Sequence, residues 1–222
     1  MAEPVKTRRY DSPVRREQAR QTRAAVVQAA HRRFLADGYA STTLAAVAKD
    51  AGVSVDTVYA VFGSKRGLLA AVMDVNVGGD DEPLEVLDRE LPQRMRAESD
   101  QRRQISLFAT GMAGELERMR PLDDVLRSAA AADPDVAAAR HEQNDVQRHA
   151  AMATVVGWVR ARGQLRSELD DAAAADVVWT LTSPEVHHML LTTRGWTRSQ
   201  YETWLRETLE RALLPDATGG AG

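Results

Sequence analysis

The segment GYASTTLAAVAKDAGVSVDTVYAVFGSKRGLL, residues 38–69, constrains the fold more than any other part of this sequence. A cluster of hydroxyl side chains precedes a short helical pattern over 44–51, which ends at Gly52. A second short pattern, 55–61, follows after a two-residue turn, and a third helix starts near Lys65. Two short helices joined by a tight turn with glycine predict a helix-turn-helix, whose second helix enters the major groove of DNA.

The helix ends of this segment carry recognisable caps. Thr42 can cap the first short helix, because its hydroxyl can accept from an otherwise unpaired backbone N–H. Gly52 supplies the positive φ that ends that helix. Ser54 and Ser64 are expected to cap the second and third helices. The run 53–62 is rich in β-branched and aromatic residues and is compatible with a strand. The helix is favoured, because a Gly-Val-Ser turn followed by Ser-Lys-x-x-Leu-Leu has no role in a hairpin.

The apolar positions divide the segment into an inner and an outer side. The residues expected to pack around Phe34 are Val47, Ala51, Val53, Val58 and Phe62. The residues left facing outward are Val55, Asp56, Thr57, Tyr59 and Ala60.

In this fixed register the residues resemble the TetR (tetracycline-repressor) family of bacterial transcriptional regulators. The matching positions are Gly38-Tyr39, Thr42-Thr43, Leu44, Ala48, Ala51-Gly52-Val53-Ser54, Tyr59, Phe62, Ser64-Lys65 and Leu68-Leu69. The motif match covers residues 16–73. Two positions depart from the pattern: Val61 stands where many members carry a backbone-contacting His or aromatic residue, and Gly67 lies inside the third helix. Gly67 is expected to weaken the first turn of that helix by up to ~1 kcal/mol.

The resemblance implies an all-helical homodimer that represses transcription at a palindromic operator. A small, largely apolar effector bound in the C-terminal domain would release the DNA. We expect Thr42, Thr43, Tyr59 and Lys65 to contact phosphates. Base edges would be read at Val55, Asp56, Thr57 and Ala60, and Ser54 also belongs to the expected DNA-binding residues.

Charge and composition agree with a DNA-binding N-terminal part. Residues 1–73 hold 12 Lys or Arg and 6 Asp or Glu, a net charge of +6, whereas residues 74–222 have a net charge of −9. A basic half that coincides with the helix-turn-helix is typical of phosphate contact. The chain has no cysteine, which favours a reducing cytoplasm, and no apolar stretch long enough to span a bilayer. The resemblance to the family implies the bacterial cytoplasm, in association with the nucleoid.

The chain divides into four predicted parts. Residues 1–15 form a disordered basic arm, 16–64 the DNA-binding domain, 65–214 a helical effector-binding and dimerisation domain, and 215–222 a disordered tail. The stretch 78–83 is the expected hinge. The patterns predict helices over 16–36, 65–77, 84–90, 101–119, 121–132, 134–162, 170–192 and 198–213. The uncharged stretch 150–159 is expected to be buried on all sides.

The C-terminal domain holds the candidate effector and dimer residues. The expected dimer interface consists of Trp179, Tyr201, Trp204, Leu205 and Leu209, with Trp196 beside them. The alternative is that these side chains close the core of their own domain. Candidate effector contacts are Phe108, Met112, Met152, Val155, Trp158 and Trp179, although residues of this kind are as often plain core.

Sequence patterns for other chemistry are missing. The chain has no phosphate-binding glycine loop and no G-x-S-x-G nucleophile motif. His187 and His188 are adjacent, so on a helix they project about 100° apart and cannot chelate one ion from one face. We therefore expect no metal, no cofactor and no enzymatic activity. The alternative function is a helical enzyme or small-molecule-binding protein whose N-terminal unit only resembles a DNA reader.

Overall fold

The computed structural model describes residues 13–78 and 86–216, and every regular element within those ranges is helical. The four N-terminal helices are α1 (Pro13–Asp37), α2 (Leu44–Ala51), α3 (Val55–Phe62) and α4 (Lys65–Gly78). The helices that follow are α5 (Glu90–Ala97), α6 (Gln101–Ala130), α7 (Pro134–His141), α8 (Arg148–Arg160), α9 (Asp171–Leu181), α10 (Pro184–His188) and α11 (Arg198–Leu213). The predicted all-α fold class is confirmed.

Two apolar cores organise these helices, and α6 contributes to both. The N-terminal core surrounds Phe34 and combines α1 to α4 with Leu122 and Leu126 of α6 and Val136 of α7. The C-terminal core combines α5, the stretch of α6 from Ile105 to Leu116, α8, α9 and α11. A single 30-residue helix therefore connects the two cores mechanically.

Proline was a misleading boundary signal at two positions. The sequence predicted that Pro92 interrupts a helix, but Pro92 lies in the first turn of α5, where its missing N–H has no intrahelical acceptor to lose. Pro121 was expected to start a new helix but lies inside α6. Buried Leu116 and Leu122 anchor the helix on either side of Pro121, so tertiary packing maintains α6 there. Of the helix predicted over 84–90, the described part contains a 3₁₀ turn at Val86–Asp88.

The long helix predicted over 134–162 is present with an irregularity. α7 runs into α8 through a π-helical turn at Glu142–Gln147. The indole N–H of Trp179 donates to the Asn144 carbonyl in that turn, at 2.8 Å. The helix predicted over 170–192 is divided at Thr182, since Ser183 and Pro184 start α10, which continues as a π-helical turn, Met189–Thr193.

One side of α8 faces solvent, so the prediction that 150–159 is buried all round is wrong. Met152, Val155, Val156 and Val159 point into the core. The small residues on the opposite side are exposed in the protomer: Ala150, Ala153, Thr154 and Gly157.

The predicted final helix is confirmed as α11, but its apolar face is occupied within the protomer. Tyr201 and Leu205 are 0% exposed and Leu209 is 1% exposed, in a core shared with α6. Their assignment to the dimer interface is therefore wrong, and the alternative that they close their own domain holds. Trp204 is half-buried against Tyr201 and Trp196, with ring centroids 5.7 and 6.1 Å away. Trp179 is also engaged within the protomer, through Asn144.

The predicted arm and tail lie largely outside the described residues, as does most of the predicted hinge at 78–83. At the arm's end, α1 already begins at Pro13. The predicted boundary after residue 64 falls between α3 and α4. Leu68, Leu69 and Val72 of α4 belong to the N-terminal core, so α4 packs with the helix-turn-helix rather than away from it.

Candidate nucleic-acid interface

The helix α2 is fixed at both ends by the residues around it. Thr43 is its N-cap, and its hydroxyl accepts from the Ala46 N–H at 3.1 Å. Gly52 ends the helix with a φ of 69°, as predicted. The expectation that Thr42 caps α2 is wrong, because the helix starts one residue later. Thr42 is 2% exposed and its hydroxyl donates to the Gly38 carbonyl at 2.9 Å, so its side chain is not available to a phosphate.

The predicted caps of α3 and α4 are confirmed. Ser54 Oγ accepts from the Thr57 N–H at 3.1 Å and lies 2.8 Å from the Thr57 hydroxyl. Ser64 Oγ accepts from the Gly67 N–H at 3.1 Å at the start of α4. Gly63, with a φ of 72°, provides the bend between the two helices. The helix α3 is therefore only eight residues long and is capped at both ends.

The α3 side chains separate into an inner and an outer side, as the sequence predicted, with one exception. Val58 is 0% exposed, and Phe62 packs half-buried against the N-terminal core. Asp56, Tyr59 and Ala60 are exposed and Thr57 is half-buried. Val55 was also expected to face outward, but it is half-buried and packs against the N-terminal core. Tyr59 is 52% exposed. The N-terminal part of α3 thus presents polar and apolar groups together to the outside.

Lys65 is held next to the helix-turn-helix by two contacts. Its Nζ donates to the Ala40 carbonyl at 3.2 Å and lies 4.2 Å from the centroid of the Tyr39 ring. Partial burial lowers the pKa of Lys65, and the nearby Asp133 carboxylate opposes that effect. The ammonium group is therefore held against the Ala40 carbonyl and the Tyr39 ring and is not freely solvated.

Two arginines of α1 hold α2 and α3 in place, and no sequence pattern pointed to either of them. Arg33 binds Asp50 of α2 through Nε at 2.6 Å and Nη2 at 3.0 Å. The guanidinium beside Asp50 holds the pKa of that carboxyl below its usual value. Arg23 lies over the Phe62 ring at the end of α3, 5.1 Å from its centroid. No local signal identifies these pairs, because the partners are far apart in the chain.

The candidate effector residues are brought together in the C-terminal core. Phe108, Met112, Met152 and Val155 are 5–9% exposed, and Trp158 and Trp179 pack half-buried against the same cluster. Their burial is compatible with plain core as well as with ligand contact.

Polar side chains interrupt this core, which the apolar pattern did not predict. Arg148 donates from Nη1 to the Trp179 carbonyl at 2.8 Å and to the Thr182 hydroxyl at 3.0 Å. Burial raises the pKa of Glu115 to about 7, although Arg118 and Arg148 lower it in part. Burial also lowers the pKa of His187 to about 4. In the sequence these residues appear only as a few charged or polar residues among apolar ones. The same pattern occurs on any helix face that contacts solvent, so it did not indicate their burial.

The described residues form neither a metal cluster nor a membrane span. Within residues 13–78 and 86–216, no group of three or more His, Asp or Glu side chains is arranged to hold a metal ion. No helix in those ranges combines the length and the hydropathy that crossing a bilayer requires.

Residues 26–72 match the family model described as "Bacterial regulatory proteins, tetR family". A segment of 59 residues is 42% identical to the HTH-type transcriptional regulator TtgR of Pseudomonas putida. This match covers 27% of the chain and 28% of that relative's length.

Solved structures resemble nearly the whole chain. NalD, the secondary repressor of the MexAB-OprM multidrug efflux pump in Pseudomonas aeruginosa, is 21% identical with a TM-score of 0.64, over 90% of this chain and 99% of its own. A complex of SmeT with triclosan is 20% identical with a TM-score of 0.66, over 90% and 95%. At these identities the likeness establishes the fold, an N-terminal helix-turn-helix with a larger helical domain.

Proposed function

Because the chain belongs to the TetR family of bacterial regulatory proteins, we propose that it is a DNA-binding transcriptional repressor. It acts as a homodimer at a palindromic operator in the bacterial cytoplasm, and a small molecule releases it. It is a regulator and not an enzyme. The observation that supports this proposal most is the outer side of α3, which is capped at both ends and exposes Asp56, Tyr59 and Ala60.

The proposed DNA contacts divide by role. Thr43, Tyr59 and Lys65 bind phosphates, and the Thr42 position contributes at most its backbone because its hydroxyl is directed inward. The base-reading residues are Val55, Asp56, Thr57 and Ala60. Ser54 stands at the start of this surface and holds the Thr57 hydroxyl at 2.8 Å. This hydrogen bond orients the Thr57 side chain in the protein before DNA binds.

A gel-shift titration with the DNA upstream of the protein's own coding region tests the proposal. A shift at nanomolar protein that survives excess unrelated DNA supports it. The alternative, a helical binding protein or enzyme with a merely similar N-terminal unit, predicts only weak and sequence-independent binding. The positive charge of residues 1–73 supports the DNA-binding function, since an enzyme would not need it.

The dimer interface is proposed to include the exposed side of α8. A single eight-residue recognition helix reads few base pairs, and a two-fold dimer doubles the number read. The exposed residues Ala150, Ala153, Thr154 and Gly157 recur at helical spacing and carry no charge. Small side chains let two helices approach closely, so a partner's α8 can pack against this side.

The effector is proposed to bind in the C-terminal core and to act through α6. NalD is described as a repressor of a multidrug efflux pump, and the SmeT structure is a complex with triclosan. By analogy, a small molecule with a large apolar part enters near Phe108, Met112, Met152, Val155, Trp158 and Trp179. A coupling of ~1–3 kcal/mol between ligand and operator would weaken DNA binding about 5- to 150-fold, and operator DNA would weaken ligand binding by the same factor.

A further inference from the structure

The C-terminal core contains a cationic group whose hydrogen-bonding capacity is incompletely used. Arg148 begins α8, and its Nη1 caps the end of α9 at the Trp179 carbonyl and the Thr182 hydroxyl. Its Nε is buried and has no hydrogen-bond partner among the described residues. An unsatisfied N–H of a buried cation is costly, so such a group is a candidate ligand contact.

Glu115, one of the acidic groups that act on Arg148, does not form an ion pair with it. Glu115 of α6 is half-buried and interacts electrostatically with Arg118 and Arg148. The two side chains form no ion pair within 4.0 Å, in contrast to Arg140 and Asp123 nearby at 2.8 Å. The other charged or titratable groups that act on Arg148 are Glu185, Asp145 and Tyr201. Arg148 therefore has no close counter-ion among the described residues.

The neighbouring apolar residues can adapt to a guest molecule. Met112 precedes Glu115 by three residues on α6, and Met152 follows Arg148 by four on α8, so each methionine shares a helix side with a charged group. Both methionines are 5% exposed and belong to the same core cluster. Unbranched thioether side chains repack around ligands more readily than branched ones.

We propose that the effector is an amphipathic molecule with an oxyanion, such as a carboxylate, which Arg148 binds and which Glu115 repels once its own carboxyl group is ionised. The apolar part lies against Met112 and Met152. Guanidinium groups prefer carboxylates, because two N–H donors can match two oxygens. This inference rests on the proposed effector-controlled function and specifies its ligand class.

The chemistry gives Glu115 a defined effect on affinity. An anionic ligand is repelled by the ionised Glu115 carboxylate and tolerated by the protonated acid. Since the pKa of Glu115 lies at about 7, anion binding weakens as the pH rises above that value. One linked proton changes the affinity by at most about tenfold per pH unit.

Calorimetric titration of the full-length protein tests the proposal with decanoate, decanol and decyltrimethylammonium as probes, at about pH 6 and about pH 8. We expect decanoate to bind about tenfold or more tightly than decanol at the lower pH, and the cation to bind weakest. Glu115→Gln should remove the pH dependence and retain tight decanoate binding. Arg148→Met should abolish the preference for decanoate, and Arg148→Lys should reduce it. Glu117→Gln on the same helix is the matched control and should behave as the wild type.

Equal binding of the three probes, preference for the cation, or no binding at all would overturn the proposal. An unchanged decanoate preference in Arg148→Lys would also overturn it. This variant retains the positive charge, so it keeps the test available if Arg148→Met fails to fold. A gel shift on the same preparations separates this inference from the proposed function. Failure to bind operator DNA would contradict the repressor function. The calorimetric titrations would still show whether Arg148 binds decanoate.

Discussion

The ammonium nitrogen of Lys65 lies over the ring of Tyr39, 4.2 Å from its centroid, and connects the start of α4 to the turn before α2. Tyr39 is 4% exposed and contacts Phe34 at a centroid distance of 5.3 Å, so the ring is held by the N-terminal core. The position of the charge is thereby set by the same core that sets the position of α3. A cation fixed in this way can contact a phosphate with little loss of side-chain entropy.

Lys65→Ala should therefore weaken DNA binding on all sequences alike. The salt dependence of the affinity should fall by about one unit of slope, as expected for one lost phosphate contact. Gel-shift titrations at several salt concentrations measure both quantities. Lys49→Ala is the matched control, since Lys49 is an exposed lysine of α2 outside the proposed contact set. An unchanged slope in Lys65→Ala would rule out the assignment.

Substitutions at Ser54 and Thr57 should have different effects, one on the stability of the protein and the other on its preference for a DNA sequence. Ser54→Ala removes the cap of α3 and should lower the free energy of unfolding by ~1 kcal/mol. Thr57→Ala keeps that cap, because the bond to Ser54 uses the Thr57 backbone N–H. It should relax the preference at one base pair by roughly 1–3 kcal/mol. Denaturant unfolding and binding to single-base operator variants distinguish the two effects; equal losses in both measurements for both variants would contradict this division.

Ala153→Arg should convert the dimer into a monomer without unfolding it. The residue is exposed in the protomer, so the protomer fold tolerates the longer side chain, whereas two copies would bring like charges together across the proposed α8 interface. Light scattering reports the mass, and circular dichroism reports the fold. Ala137→Arg, at an exposed alanine of α7, makes the same change away from that side and should remain dimeric. A stable wild-type monomer at micromolar concentration would refute the dimer itself.

Gly67→Ala should destabilise the protein despite the higher helix propensity of alanine. A Cβ at this position would overlap the Phe62 carbonyl oxygen, so the α3–α4 junction must shift to admit it. The sequence suggested only a propensity cost for the glycine; the close approach explains why a glycine stands there. Thermal unfolding should occur at a lower temperature, with DNA affinity reduced because α3 moves. A higher unfolding temperature would contradict this explanation.

The sequence predicted what is encoded locally. The caps at Ser54 and Ser64 and the turn at Gly52 depend on residues within four positions of each other, and all three were correct. Boundaries failed where packing overrides local preference, as at Pro121 inside α6. The choice between Thr42 and Thr43 as cap failed because adjacent hydroxyls carry the same signal and differ only in which one the tertiary structure buries.

The candidate site was only partly predictable, for a related reason. The apolar face of α11 was recognised, but periodicity does not reveal whether α6 or a second protomer covers it. Charged residues such as Glu115 and Arg148 occur on helices that otherwise look solvated. Their partial burial depends on contacts between α6, α8 and α9, which no local pattern encodes.

Two titratable groups of the C-terminal domain, the buried His187 and the half-buried Glu115, should make stability depend on pH in opposite directions. The pKa of His187 is lowered by burial from 6.5 to about 4, so between these values the unfolded chain binds the extra proton and stability falls as the pH falls. The pKa of Glu115 is raised from 4.5 to about 7, so there the native state binds the extra proton and stability rises as the pH falls. In the shared window the two slopes oppose each other.

Replacing either residue should therefore reveal the pH dependence of stability that the other residue causes. Relative to the wild type, His187→Phe should gain stability as the pH falls from about 6.5 to about 4, and Glu115→Gln should lose stability between about 7 and about 4.5, each by up to ~1.4 kcal/mol per pH unit. Denaturant unfolding across this range measures both differences. In the shared window the double variant should return to the wild-type slope, because both linked protons are then absent. Single variants whose slopes match the wild type would mean that neither group is shifted as its burial requires.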